Sequence, residues 1–152
     1  MKNDSLRSTL IGAWSLVSYE TRNAAGKASH PMGEDAQGII MYTPDGYMSA
    51  QIMKADRPLF NSSDLNVATD PEFARAAASY LAYSGPFYVD EEKKSLKHSM
   101  TVSLFPNWLG QTQVRLVKYE DGLLHLGAEG PILVNGEMQD TFLIWKKEPT
   151  NN

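Results

Sequence analysis

The stretch LKHSMTVSLFPNWLGQTQVR, residues 96–115, decides the fold. Leu96, His98, Met100, Val102 and Leu104 alternate with Lys97, Ser99, Thr101 and Ser103, so one face is apolar and the other polar. Period two with a polar reverse face is the pattern of a strand half buried in a sheet. The alternation predicts that all five residues of the first set face the interior, which puts the imidazole of His98 among apolar side chains. Residues 105–110, FPNWLG, read as an aromatic turn. Residues 111–119 read as a second strand, carrying Gln113 and Arg115.

Outward from this hairpin the chain is mostly strands. IGAWSLVSYET, residues 11–21, is the first, with Trp14, Leu16 and Ser18 on one face and Ala13, Ser15, Val17 and Tyr19 on the other. Residues 37–43 and 47–54 form a hairpin about Pro44-Asp45-Gly46, where Pro presets φ and Gly accepts a positive one. Asp121-Gly122 and Asn135-Gly136 are further turns, and residues 137–147 the last strand. Two long connections, 22–35 and 55–69, are of the length that often carries function.

One helix is expected near Thr69 to Ala82. Thr69-Asp70-Pro71-Glu72 offers a cap, an early proline and a capping-box glutamate. Phe73, Ala76, Ala77, Tyr80 and Leu81 then repeat as a single apolar stripe. About eight antiparallel strands joined by short turns close most naturally into a barrel, which removes exposed edges and leaves room for one small ligand. The expected fold is therefore all-β, an antiparallel up-and-down barrel with one short capping helix.

Composition narrows the function. A chain of 152 residues is one domain, 1–152, with 1–9 and 148–152 read as flexible tails and Leu6 and Leu10 as candidates to pack under the barrel. It has no cysteine, so disulfides, thiolate metal sites and a cysteine nucleophile are excluded. A net charge of −4 with scattered cations argues against nucleic acid and acidic membranes. No stretch reads as a signal peptide or a bilayer span, so a cytoplasmic protein is expected. His30, His98 and His125 lack metal-ligand spacing, and neither a metal nor a cofactor is expected.

GAWSLVSYE (12–20), PMGEDAQGIIMYTPDGYMSAQIMKADRP (31–58), YLAYSGPFYVDEE (80–92) and SLFPNWLGQTQVR (103–115) together resemble the intracellular lipocalin-like domain family of bacteria and fungi. The resemblance runs from about residue 10 to 147. It implies an open-mouthed barrel of calycin type, and fungal members often accompany natural-product biosynthesis. Among the residues that match its recurring text are Trp14, Tyr42, Arg57, Tyr83, Gly85, His98, Trp108, Gln113 and Arg115.

The candidate ligand-binding residues are His98, Arg115, Trp108, Tyr83, Tyr47, Met100, Gln113 and Arg57. The direction of Arg115 stays open, because Val114 and Leu116 beside it are as apolar as its own face. The leading function is binding of a small, largely apolar ligand with a carbonyl or acidic group, as an apolar wall with a few polar groups suggests. The alternative is an isomerase or cyclase acting on a polyketide- or terpenoid-like substrate, with His98 and Arg115 catalytic. A partner-binding role for the Phe105–Trp108 turn, and a homodimer, also stay open.

Overall fold

The computed structural model describes residues 5–152. A short helix, α1 (Leu6–Leu10), leads into β1 (Gly12–Asn23), followed by β2 (Ala28–Ser29), β3 (Gln37–Tyr42) and β4 (Tyr47–Met53). Helix α2 (Asp70–Ala78) precedes β5 (Tyr80–Asp90), β6 (Ser95–Ser99) and β7 (Val102–Ser103). A single 3-10 turn at Pro106–Trp108 leads to β8 (Thr112–Glu120), β9 (Leu123–Ala128), β10 (Ile132–Val134) and β11 (Glu137–Lys147).

The ring runs β1-β3-β4-β5-β6-β8-β9-β11 and returns to β1, every pairing antiparallel. It is a closed up-and-down barrel, with β2, β7 and β10 as short side pieces. The three expected tight turns all connect neighbouring strands: residues 43–46, 121–122 and 135–136. No helix is long and apolar enough to cross a membrane among the described residues.

One end of the barrel is closed by the start of the chain. Leu6 and Leu10 are buried in the core, the packing under the barrel for which they were candidates; residues 6–9 of the expected flexible tail belong to this packed helix, and residues 1–4 of it lie outside the described residues. Ser5 caps it, and the Glu91 carboxylate accepts from the backbone N–H groups of Leu6 and Arg7 at 2.9 and 3.2 Å. Those are N–H groups that a helix start leaves without intrahelical partners. Trp14 lies against this floor and donates its indole N–H to the Leu10 carbonyl at 2.9 Å.

Two register shifts alter which side chains face inward. In β1 the pairing to β11 slips between Leu16 and Ser18. Leu16 pairs with Trp145 and Tyr19 with Leu143, so Trp14 and Leu16 point in and so do Tyr19 and Thr21, while Val17 is exposed. This is a β-bulge, an extra residue that bends the strand and resets the alternation. Tyr19, expected on the face opposite Trp14, is thereby brought inside.

The second shift lies in residues 96–104. Phe87 pairs with His98, yet Ser84 pairs with Val102, one residue out of step. Leu96, His98 and Met100 are buried as the alternation requires, but Val102 is 66% exposed and Leu104 43%. The expectation that all five face inward thus fails beyond Met100, at Val102 and Leu104, because an extra residue is inserted between His98 and Val102. Gly85 sits opposite this insertion, and a Cβ there would meet the Ser99 carbonyl oxygen at 1.8 Å.

The expected helix is real but shorter. Thr69 and Glu72 form the capping box and Pro71 falls in the first turn, but the helix stops at Ala78. Tyr80 and Leu81 belong to β5. The apolar stripe does not become a buried face: Phe73 is largely exposed, edge-on to Phe60 at 5.8 Å, and Glu72 is the helix's buried residue. α1, rather than α2, covers the floor of the barrel.

Candidate ligand-binding site

The inner wall of the barrel is apolar for most of its length and polar in one sector. On β8 the pairings Leu96–Arg115 and Arg115–Ala128 put Arg115 in a row with two inward-facing neighbours. It lines the internal cavity together with Tyr19, Tyr83, Trp108, Gln113, Thr141 and Trp145, against Ile40, Ile52, Leu126 and Leu143. The open question of its direction is answered by the strands on either side.

Arg115 is half buried, and its Nη2 donates to Gln113 Oε1 at 2.7 Å. Among the described residues no carboxylate reaches it: Glu20 pairs with Arg22 and Glu120 with Lys118, and Glu34 lies 3.9 Å from His30. A guanidinium has five N–H donors and keeps its charge at any working pH, so one amide oxygen leaves most of its capacity unused. Its field reaches the core. Burial, with the Arg115 cation adding to it, holds His98 well below the usual histidine range. Burial also raises the Tyr42 phenol well above its ordinary value and the Tyr19 phenol above its own, each reinforced by Tyr83 and opposed by Arg115.

Above the cavity, Trp108 packs edge-on to Tyr83 with ring centroids 5.6 Å apart and to Phe105 at 5.5 Å. The aromatic turn therefore folds over the barrel mouth. The free space enclosed is about 40 Å³, room for a few ordered waters. A larger hollow of about 640 Å³ runs outside β5, β6 and β8, but charged residues of both signs line it, among them Glu92, Lys93 and Lys97. It lacks the convergence of polar groups on an apolar wall that marks a ligand site.

A family model described as a lipocalin-like domain matches residues 11–148, nearly the whole barrel. The chain belongs to the lipocalin-like domain family. Over 108 residues it is also 36% identical to the 4'-hydroxy-3'-methoxypropiophenone carrier protein ppsC of Aspergillus oryzae, a match spanning 67% of this chain and 97% of that protein.

Within this lipocalin-like barrel the candidate residues divide into groups. Arg115, Gln113, Trp108 and Tyr83 converge on the cavity. His98 is inside but enclosed: it is fully buried, its Nε2 is 2.8 Å from the Tyr42 hydroxyl, and Tyr83 lies tilted against it at 5.9 Å. It stands behind the cavity wall rather than on it, and its Nδ1 has no hydrogen-bond partner among the described residues. Met100 is packed in the core, off the cavity.

Tyr47 and Arg57 lie elsewhere. Tyr47, a candidate ligand-binding residue, is 55% exposed on β4 near the α1 end, beside Pro86. Arg57 ties the 55–69 connection to helix α2: it donates to Ser79 Oγ at 3.0 Å and to the Ala76 carbonyl at 3.1 Å, with its guanidinium over Tyr80. That is a cation on a helix C-terminus, a structural use of charge. Sequence reasoning missed Tyr19, Thr141 and Trp145 as cavity residues. The period-two run Thr141, Leu143, Trp145 carried the signal for the last two; the bulge hid Tyr19.

Proposed function

We propose that the protein binds and carries a small, largely apolar molecule with an acidic or carbonyl group, its polar end held by Arg115 and Gln113 at the barrel mouth. The observation that carries this reading is the Arg115 guanidinium, inward-facing and half buried, with an amide oxygen as its side-chain partner and no carboxylate in reach among the described residues. Leaving a cation there costs free energy that a ligand anion or strong acceptor recovers. The relative named as a carrier of 4'-hydroxy-3'-methoxypropiophenone, a phenolic aryl ketone, supports a cargo of the same kind.

Ligand pockets commonly measure roughly 300 Å³ or more, far above the free space here, so cargo must displace mouth side chains, with Trp108 the first in its way. The isomerase or cyclase reading needs His98 to exchange a proton with substrate. A histidine enclosed by Tyr42 and Tyr83, away from the cavity wall, is poorly placed for that transfer, which favours the carrier.

The test is calorimetric titration with 4'-hydroxy-3'-methoxypropiophenone, for the wild-type chain and Arg115→Met. Micromolar binding by the first and a loss of tenfold or more in the second is expected. No heat at millimolar probe, or equal affinity in both chains, would overturn the assignment.

A further inference from the structure

The cavity holds a second polar group whose hydrogen-bonding capacity is unmet among the described residues. Trp145 is 1% exposed, lines the cavity beside Leu143 and Leu126, and its Nε1–H has no acceptor among the described residues. Trp14, the other buried indole, does have one, the Leu10 carbonyl at 2.9 Å. An indole nitrogen can only donate, and a buried donor left unmade is destabilising, so a structural role alone would be filled as well by phenylalanine.

Its position relative to Arg115 follows from the register. Arg115 pairs with Ala128 on β9, and Trp145 pairs with Leu124 on the same strand. Four residues along a strand span about 13 Å, and both residues line the cavity. Once the mouth side chains are displaced, a single ring with a substituent at each end is of a length to meet both residues.

We infer that Trp145 is a specificity-determining residue whose indole N–H donates to a neutral acceptor, a carbonyl or ether oxygen, at the deep end of the ligand while Arg115 holds the acidic end. The inference rests on the carrier reading and deepens it: the cargo is a single-ring aromatic with an acidic group at one end and a neutral acceptor at the other. A simple alkylphenol satisfies Arg115 and leaves Trp145 unmet; an acylphenol satisfies both. The other buried orphan, His98 Nδ1, lies off the cavity wall and takes no part in this choice.

The experiment uses 4'-hydroxypropiophenone and 4-propylphenol, the same skeleton with and without the ketone, at a pH where both phenols are neutral. Each is titrated into the ¹⁵N-labelled wild-type chain while the indole N–H signals are followed, and affinities are measured for wild type and Trp145→Phe. The ketone is expected to move the Trp145 signal downfield and slow its exchange, where propylphenol does neither. It should also bind roughly tenfold more tightly than propylphenol in the wild type, a preference that Trp145→Phe abolishes. Binding of both probes with the Trp145 signal unmoved, or a preference that survives Trp145→Phe, overturns the inference and leaves the carrier reading standing. Failure of both probes to bind the wild type removes the carrier reading and the inference with it. If Trp145→Phe does not fold, the wild-type spectra alone decide.

Discussion

The Tyr42 hydroxyl lies 2.8 Å from His98 Nε2, and the barrel encloses both side chains completely. Burial, aided by the Arg115 charge, depresses the His98 pKa, so the folded chain refuses a proton that the unfolded chain accepts below about pH 6.5. Stability from this group is complete above that pH and is lost as pH falls towards the folded value. The limiting slope is ~1.4 kcal/mol per pH unit, that of one proton. Tyr42 has the opposite sign: its raised pKa holds stability below about pH 10 and loses it above. As pH is lowered from 7 to 5, urea midpoints should fall in the wild type and much less in His98→Gln. Equal slopes would show that His98 titrates as freely folded as unfolded.

Arg115→Met tests charge against packing. Methionine keeps an unbranched apolar stem, and the guanidinium it removes has no acidic partner among the described residues. Stability should therefore stay within about 1 kcal/mol of wild type or rise. Binding of acidic probes should collapse. A drop of several kcal/mol on thermal unfolding would mean that Arg115 holds the barrel together.

Trp108 is partly accessible, whereas Trp14 and Trp145 are buried. Acrylamide should accordingly quench one component of the tryptophan fluorescence. A bound aromatic probe should alter that component, and Trp108→Phe should remove it. Unchanged quenching in Trp108→Phe would place the accessible indole elsewhere.

Gly85→Ala should be the costliest single methyl in the barrel. The new Cβ would lie 1.8 Å from the Ser99 carbonyl oxygen, a backbone atom that cannot swing away. A loss of roughly 3 kcal/mol or more is expected, at the upper end of overpacking effects. Gly136→Ala is the control. It has open space around it and a φ of +81°, so about 1–2 kcal/mol of backbone strain is all it should lose. Comparable losses in the two variants would show that the close approach at Gly85 relaxes easily.

What the sequence made legible was local. Pro44-Asp45-Gly46, Asp121-Gly122 and Asn135-Gly136 turn the chain because of their own backbone preferences, and the Thr69–Glu72 capping box starts a helix wherever it stands. The inward course of Leu96, His98 and Met100 was equally readable from their alternation with polar residues. The illegible part was relational. Val17 and Met100 look like ordinary strand residues; only the pairing with a neighbouring strand shows that each accompanies a one-residue slip. Arg115 was undecidable for the same reason, since Val114 and Leu116 beside it made both faces apolar. Tyr80 and Leu81 fitted a helical stripe by spacing but gain more by pairing with Met53 and Ile52 on β4.

The slip in β1 makes the first strand intolerant of a kind of change that substitutions do not mimic. Trp14, which seals the floor, and Tyr19, which lines the cavity, share the interior because one residue too many lies between them. Deleting Val17 would cost little in side-chain volume but would restore strict alternation. Either Tyr19 and Thr21 would then rotate into solvent, or Trp14 would leave Leu10. Floor and cavity are locked in phase by a count of residues, so a shortened first strand must surrender one of them, and no repacking of neighbours restores both.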